Sequence, residues 1–304
     1  MAINEQYRRQ VALLVRTLPI VAQERCFALK GGTAINLFVR DMPRLSVDID
    51  LTYLPQSTRA ESAADINQSM ARIAESIVSK IPGASCDRKL NDEGLLTDLW
   101  VRVAGANIKV ELNPVIRGCV YEPELRSTSA NVQRDFGFAE IQVVSWADLY
   151  AGKIMAALHR QHPRDLFDVK DLLAKEGVNA QLRAAFVVYL LSHHRPMHEV
   201  LNPTRKDISG EFVQSFAGMT SEPVLLDELL EAREKLVEEI VGRMPASHRE
   251  FLLSFEKGEP DWGKLDVAHA RKLPAVLWRM QNLAKANAGR RTDLVRMLAK
   301  ALES

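Results

Sequence analysis

The hydrophobic pattern changes its period along the chain. Apolar residues recur at helical spacing over 3–18 and 58–80, and at alternate positions over 44–51, 84–90, 97–104, 107–116 and 140–144. Phe27 to Leu29 reads as a short strand, and 33–39 as a helix with Ala34, Leu37 and Phe38 inward. From Ser145 onward only helical spacing recurs, with amphipathic stretches at 225–241 and 273–288. The stretch 196–222 and its border hold Pro196, Pro203, Gly210, Gly218 and Pro223, which mark a loop or boundary. This order predicts an α+β fold, with a mixed sheet and flanking helices over residues 1–144 and a helical region over 145–304.

Within 44–51, Leu45, Val47, Ile49 and Leu51 point to a core, while Arg44, Ser46, Asp48 and Asp50 share the other face. The two aspartates, one residue apart, stand roughly 6–7 Å from each other at their bases. Their oxygens can meet on one hard cation, and substrate phosphates commonly complete the shell of magnesium. Without a cation, carboxylates this close raise each other's pKa. An Asp-x-Asp alone also suits a solvated strand face.

Gly31 and Gly32 narrow the choice. They occupy a strand-to-helix turn shortly before that strand. Glycine admits close backbone approach, a helix N-terminus offers amide donors to phosphate, and Thr33 adds a hydroxyl. Together these features outline a site for a nucleoside triphosphate and its metal ions. Over 107–115, Ile108, Val110 and Leu112 face one way and Lys109, Glu111 and Asn113 the other. If this strand lies beside that of Asp48, Glu111 joins the cluster as metal ligand or general base; otherwise it belongs to a surface strand.

The run Lys30-Gly-Gly-Thr-Ala, followed by Arg44-x-Ser46-x-Asp48-x-Asp50, resembles the AbiEii/AbiGii (MenT-like) nucleotidyltransferase toxins of the polymerase-β-like superfamily. A second stretch matches too, from Ser145-Trp-Ala-Asp-Leu-Tyr-Ala-Gly-Lys153 to Arg164-Asp165-Leu-Phe-Asp168. The resemblance spans roughly residues 25 to 175 and is weaker beyond. With the pattern above it implies a nucleotidyltransferase core over 1–144, with 145–195 completing the active site; 223–304 is a helical part that its charge makes a candidate RNA-binding face. It further implies Mg²⁺ (one or two ions), a nucleoside triphosphate as substrate, the 3′ end of tRNA or another RNA as acceptor, and an AbiEi-type antitoxin as partner. Carried over by position, Asp48 and Asp50 bind metal, Ser46 and Thr33 line the triphosphate pocket, Lys153 contacts phosphate, and Asp165 is a further site residue. The alternatives are a nucleotidyltransferase acting on a small-molecule or protein hydroxyl, a catalytically inactive binding protein of the same fold, and a metal-dependent phosphohydrolase.

Residue by residue, the second stretch is ambiguous. Ser145 suits the N-cap of a helix over 146–159, and Pro163 the first turn of the next. Lys153 reads equally as a solvated lysine, Arg164 and Asp168 as an i,i+4 pair, and Asp165 as a charge favoured at a helix start.

Composition excludes some classes. The chain has 304 residues, 47% of them hydrophobic, enough for a full core. No apolar run approaches the twenty residues of a membrane span, and the first residues lack the apolar centre of a signal peptide. Three scattered cysteines fit a reducing cytoplasm. His193, His194 and His198 cluster in sequence, but Pro196 breaks the helix that would align them, so no zinc site is expected. The net charge is +1, unevenly spread. Residues 264–304 hold nine basic and three acidic side chains, a surplus of +6, while 222–239 hold seven acids and two bases, or −5. The basic segment suits an RNA backbone, or packs near the acidic one and cancels it.

Overall fold

A mixed sheet organises the N-terminal half. In a computed structural model, which describes residues 5–303, strands β1 (Phe27–Lys30), β2 (Asp48–Tyr53), β3 (Ser85–Leu90), β4 (Leu96–Val103), β5 (Ala106–Arg117), β6 (Glu124–Ser127) and β7 (Glu140–Val143) lie in the order β3-β4-β5-β2-β1-β7-β6. β2 runs parallel to β5 and β1 to β7; the other neighbours are antiparallel. One face is apolar, with Ile49, Leu51, Leu99, Val101, Ile108, Val110 and Leu112 all buried. Helices α1 (Glu5–Val21) and α3 (Arg59–Lys80) pack on β5 and on β3 and β4. The α3 helix starts in a reciprocal cap: the Thr58 hydroxyl accepts from the Glu61 N–H, and the Glu61 carboxylate accepts from the Thr58 N–H. Between β1 and β2, α2 (Gly31–Ala34) continues as a wider π-turn over Ile35–Val39.

The strand expected from Arg44 begins only at Asp48. The four residues before it pair elsewhere: Arg44 bridges to Thr220, and the Leu45 N–H donates to the Met219 carbonyl at 2.8 Å. Ala217–Pro223 therefore belongs to the same compact unit as the chain through Ser145, although it arrives after the helical part has begun. The pattern also missed β6 and α4 (Ala130–Phe136). β6 reads Glu-Leu-Arg-Ser, with no apolar alternation, because it is an edge strand paired only with β7.

Trp146–Phe216 and the chain from Val224 onward form a second compact unit. Its helices are α5 (Trp146–His159), α6 (Pro163–Lys175), α7 (Ala180–Leu191), α8 (Met197–Leu201), α9 (Ser209–Ser215), α10 (Leu226–Val237), α11 (Ala246–Lys257), α12 (Pro274–Lys285) and α13 (Ala288–Glu303). The α7 helix is buried on nearly every side, as its run Ala-Ala-Phe-Val-Val-Tyr-Leu-Leu suggests. It packs on α5, where Gly152 lies against Tyr189: a Cβ there would sit 3.3 Å from the tyrosine ring. In α10, Glu228 pairs with Lys170, Glu231 with Lys235, and Glu234 with Arg205 and Arg233, so the partners of these three acids lie outside the basic segment 264–304. No helix among the described residues is long and apolar enough to cross a membrane.

Candidate active site

The first unit carries a row of carboxylates across three strands. Asp50 on β2 is in register with Glu111 on β5, and Glu111 with Asp98 on β4. Laterally paired residues project to the same face, about 4.5–5.5 Å apart at Cβ. Asp48 and Lys109 pair one step along on that face. The condition set by the sequence is met: β5 lies beside β2, and Glu111 stands next to Asp50. Asp48 and Asp50 are half-buried, whereas Glu111 is exposed.

The glycine turn abuts this row. Lys30 pairs with Asp50 across β1 and β2, so Gly31 begins where the acidic strand begins. A Cβ built on Gly31 would lie 2.2 Å from Asp50 Oδ2, and Gly31 has φ of +74°, where side chains are disfavoured. A Cβ on Gly32 would meet Arg44 Nη2 at 2.8 Å and Ser46 Oγ at 3.0 Å. Thr33 is fully buried; its hydroxyl donates to the Asp48 carbonyl and lies 3.0 Å from Ser46 Oγ. The Asn36 side-chain amide donates to the Gly32 carbonyl at 2.9 Å. Hydroxyl and amide together tie the turn to the start of β2.

Asp98 was not singled out in the sequence, and Arg44 and Lys109 were given no role there, yet all three line this region. Lys109 Nζ lies 2.5 Å from both Asp98 Oδ1 and Glu111 Oε2, and 5.7 Å from the centre of the Trp100 ring. Burial alone would push the Asp98 carboxyl up, but hydrogen bonds from Lys109 and Thr97 outweigh it and hold the group below its usual range. The same acids raise Lys109 against the opposing effect of burial. The available signal was a carboxylate inside the run Leu95-Leu96-Thr97-Asp98-Leu99-Trp100, which is otherwise largely apolar. Arg44 is buried at 2% exposure, and its Nη1 donates to the Leu45 carbonyl at 2.9 Å. Its place in the alternation with Ser46, Asp48 and Asp50 was the clue.

In the helical unit, Lys153 and Asp165 are brought together. Lys153 Nζ lies 2.8 Å from Asp165 Oδ1 and 3.0 Å from Asp168 Oδ2, with all three side chains at 6% exposure or less. Arg160 reaches Asp165 Oδ2 at 3.0 Å. Lys153 is therefore not a solvated lysine, and Asp168 turns to Lys153. Helix α6 opens as expected with Pro163 in its first turn; the His162 ring caps it by accepting from the Arg164 N–H at 3.1 Å.

A mixed sheet bearing paired aspartates against a glycine turn defines the class as a nucleotidyltransferase fold. The chain belongs to the nucleotidyl transferase AbiEii toxin family of type IV toxin–antitoxin systems, whose model matches residues 12–282. Among solved structures it is similar to MenT4, a nucleotidyltransferase toxin from Mycobacterium tuberculosis H37Rv, with a TM-score of 0.63 and 15% identity over 99% of this chain and 95% of that one. No curated protein matches it by sequence.

Proposed function

We propose that this toxin transfers a nucleoside monophosphate from a nucleoside triphosphate to an RNA acceptor, the 3′ end of tRNA, with magnesium as the metal. The observation that carries the reading is the contact of Gly31 with Asp50 at the end of the Asp50–Glu111–Asp98 row. The turn leaves no room for a side chain where a phosphate must approach the backbone, and carboxylates stand directly beside it. Asp48 and Asp50 on one face of β2 would give magnesium the oxygen donors it prefers, while Glu111, ion-paired with Lys109, is assigned to the proton. Bound there, the ion supplies neutralisation of the charge that builds on the transferred phosphate and on pyrophosphate.

The chain's own groups do the rest. Backbone amides of the Gly31–Gly32 turn cradle the phosphates, held in place by Thr33 and Asn36. Ser46 orients the triphosphate beside them. The terminal hydroxyl oxygen of the acceptor attacks the α-phosphorus; that P–O bond forms as the bond to pyrophosphate breaks. Glu111 takes the hydroxyl proton, and Lys109 beside it holds the carboxylate in place. Within the helical unit, Lys153 is the candidate phosphate-binding lysine, with Asp165 and Asp168 fixing the direction of its ammonium group. Within the basic segment 264–304, exposed Arg290 offers a phosphate contact for the RNA. An antitoxin of the AbiEi type is the partner, and the reaction takes place in the cytoplasm, where charged and uncharged tRNA are found together.

The deciding experiment incubates purified protein with bulk tRNA and each of four α-labelled triphosphates, with magnesium or with chelator. Label in RNA that disappears with chelator is the expected result. Label in the protein fraction, or phosphate release with no label on any acceptor, overturns the reading.

A further inference from the structure

Three imidazoles come together at one end of the helical unit. His159 closes α5, while His193 and His194 follow the end of α7. Gly152 lies against Tyr189 and the His159 ring against that of His193, at 4.7 Å between centroids, so both helices end on the same side. The His193 and His194 centroids are 4.4 Å apart and those of His159 and His194 5.7 Å. One ring nitrogen from each residue falls within 4.8 Å of the other two. The sequence grouping was therefore misleading in one member: His159, thirty-four positions before His193, takes the place that proximity in sequence gave to His198.

We propose that His159, His193 and His194 bind a borderline divalent transition metal, zinc in the first instance. In a tetrahedral zinc site with bonds of about 2.0–2.1 Å, ligand nitrogens stand about 3.4 Å apart. The three nitrogens lie within 4.8 Å of one another, so binding requires them to close toward that spacing. Three neutral nitrogens suit zinc and its neighbours and suit magnesium poorly, so this site and the carboxylate row select different ions. His194 is exposed while the other two rings are half-buried, which leaves the fourth position to water or a substrate group.

The rings lie among both helix ends and cationic side chains, with Arg160, Arg195, Lys206 and Arg279 nearby. Two helix C-termini converge here, each presenting carbonyl oxygens and the negative end of its dipole. Lys206 donates to the carbonyls of His159 and Arg160, and Arg279 to those of His193 and Arg195. The nearby cations are thereby engaged: Arg160 also bonds Asp165, Arg195 approaches Glu199 at 3.7 Å, and Arg279 approaches Glu256 at 3.6 Å. Among the described residues, no hydrogen bond reaches the ring nitrogens of His159 or His194, while His193 Nδ1 accepts one from the Arg195 N–H at 3.2 Å. Ligation through His193 Nε2 moves its proton to Nδ1 and gives up that one long contact. Burial pushes His193 down to about 4, reinforced by His194, His159, Arg195 and Arg279, and lowers His159 as well; both rings are thus neutral near pH 7, the form that ligates.

The test uses the full chain freed of any affinity tag. Zinc chloride is titrated by calorimetry, and metal content is measured after dialysis; cobalt(II) is added separately and its visible absorption recorded. The expected result is one zinc per chain, a cobalt band of tetrahedral intensity, and at least a tenfold loss of zinc affinity in His159→Ala and in His194→Ala, with His198→Ala unchanged. His194 is exposed, so its substitution leaves the packing intact. Zinc uptake equal in wild type and His194→Ala, no uptake at all, or binding of inorganic phosphate at these rings in place of zinc overturns the proposal.

Discussion

Gly31 and Asp50 occupy space that a single methyl group would contest. The added carbon would fall 2.2 Å from the carboxylate oxygen, on a backbone whose φ is +74°. Gly31→Ala is expected to cost about 1–2 kcal/mol from the left-handed backbone alone and to displace Asp50. Nucleotide transfer should fall at least a hundredfold, while circular dichroism shows a folded protein. Gly32→Ala meets the buried ends of Arg44 and Ser46 at 2.8 and 3.0 Å, without the left-handed backbone of Gly31, and should lower transfer by less than Gly31→Ala. Equal activity in Gly31→Ala and wild type, measured with labelled triphosphate, would contradict the importance of that contact.

Asp48→Ala and Asp50→Asn should each abolish transfer without unfolding the protein, because both side chains are only half-buried on the polar face of the sheet. Chelator should reproduce the loss in the wild type. Wild-type transfer in either variant refutes the metal assignment, whatever the thermal melt shows.

The parts of this site differ in how legible they were. Asp48, Asp50 and the Gly31–Gly32 turn lie within twenty residues of one another, and local period and turn chemistry suffice to relate them. The side to which β5 presents its residues followed from alternation, so Glu111 was oriented correctly, but only pairing of β5 with β2 could place it beside Asp50. Asp98 escaped because it shares its face of β4 with Leu96 and Trp100; its carboxylate is accommodated by Lys109, a cross-strand partner no local pattern reveals. The return of Ala217–Pro223 to Arg44 and Leu45 escaped for a similar reason: breaker residues announce a loop and say nothing about where it docks.

Lys153 presents a case where structure and chemistry must be separated by design. Its ammonium lies between two buried carboxylates, so Lys153→Ala leaves uncompensated buried charge and should cost about 3–5 kcal/mol. Loss of activity in that variant alone is uninformative. The combination Lys153→Met, Asp165→Asn and Asp168→Asn removes all three charges and should recover most of the melting temperature. If transfer stays absent in the recovered protein, Lys153 and Asp165 serve the reaction; if transfer returns, they serve only the fold.

His248 gives the helical unit a dependence on acid. Its Nδ1 is buried with no hydrogen-bond partner among the described residues, and burial, aided by Arg183 and opposed by Asp266, holds its pKa below the ordinary 6.5. Below about pH 6.5 the unfolded chain takes up a proton that the folded ring resists, so stability falls as pH falls through that window. His248→Leu should flatten the decline in melting temperature between pH 7 and pH 5. An unchanged slope would show that other groups govern it.

Arg290 and Arg291 look alike in sequence, where both belong to the basic segment 264–304. They differ in the fold. Arg291 Nη2 donates to the Leu283 carbonyl at 2.8 Å and so holds the end of α12, whereas Arg290 is exposed. Arg291→Glu therefore damages structure as well as charge, and Arg290→Glu alone is the cleaner variant. If the basic segment contacts RNA, Arg290→Glu should weaken tRNA binding at low salt and lower the slope of log affinity against log salt by about one. Its melting temperature should match the wild type. Binding and salt slope both unchanged would remove the C-terminal helices from the RNA interface and direct attention to the rest of the basic surface.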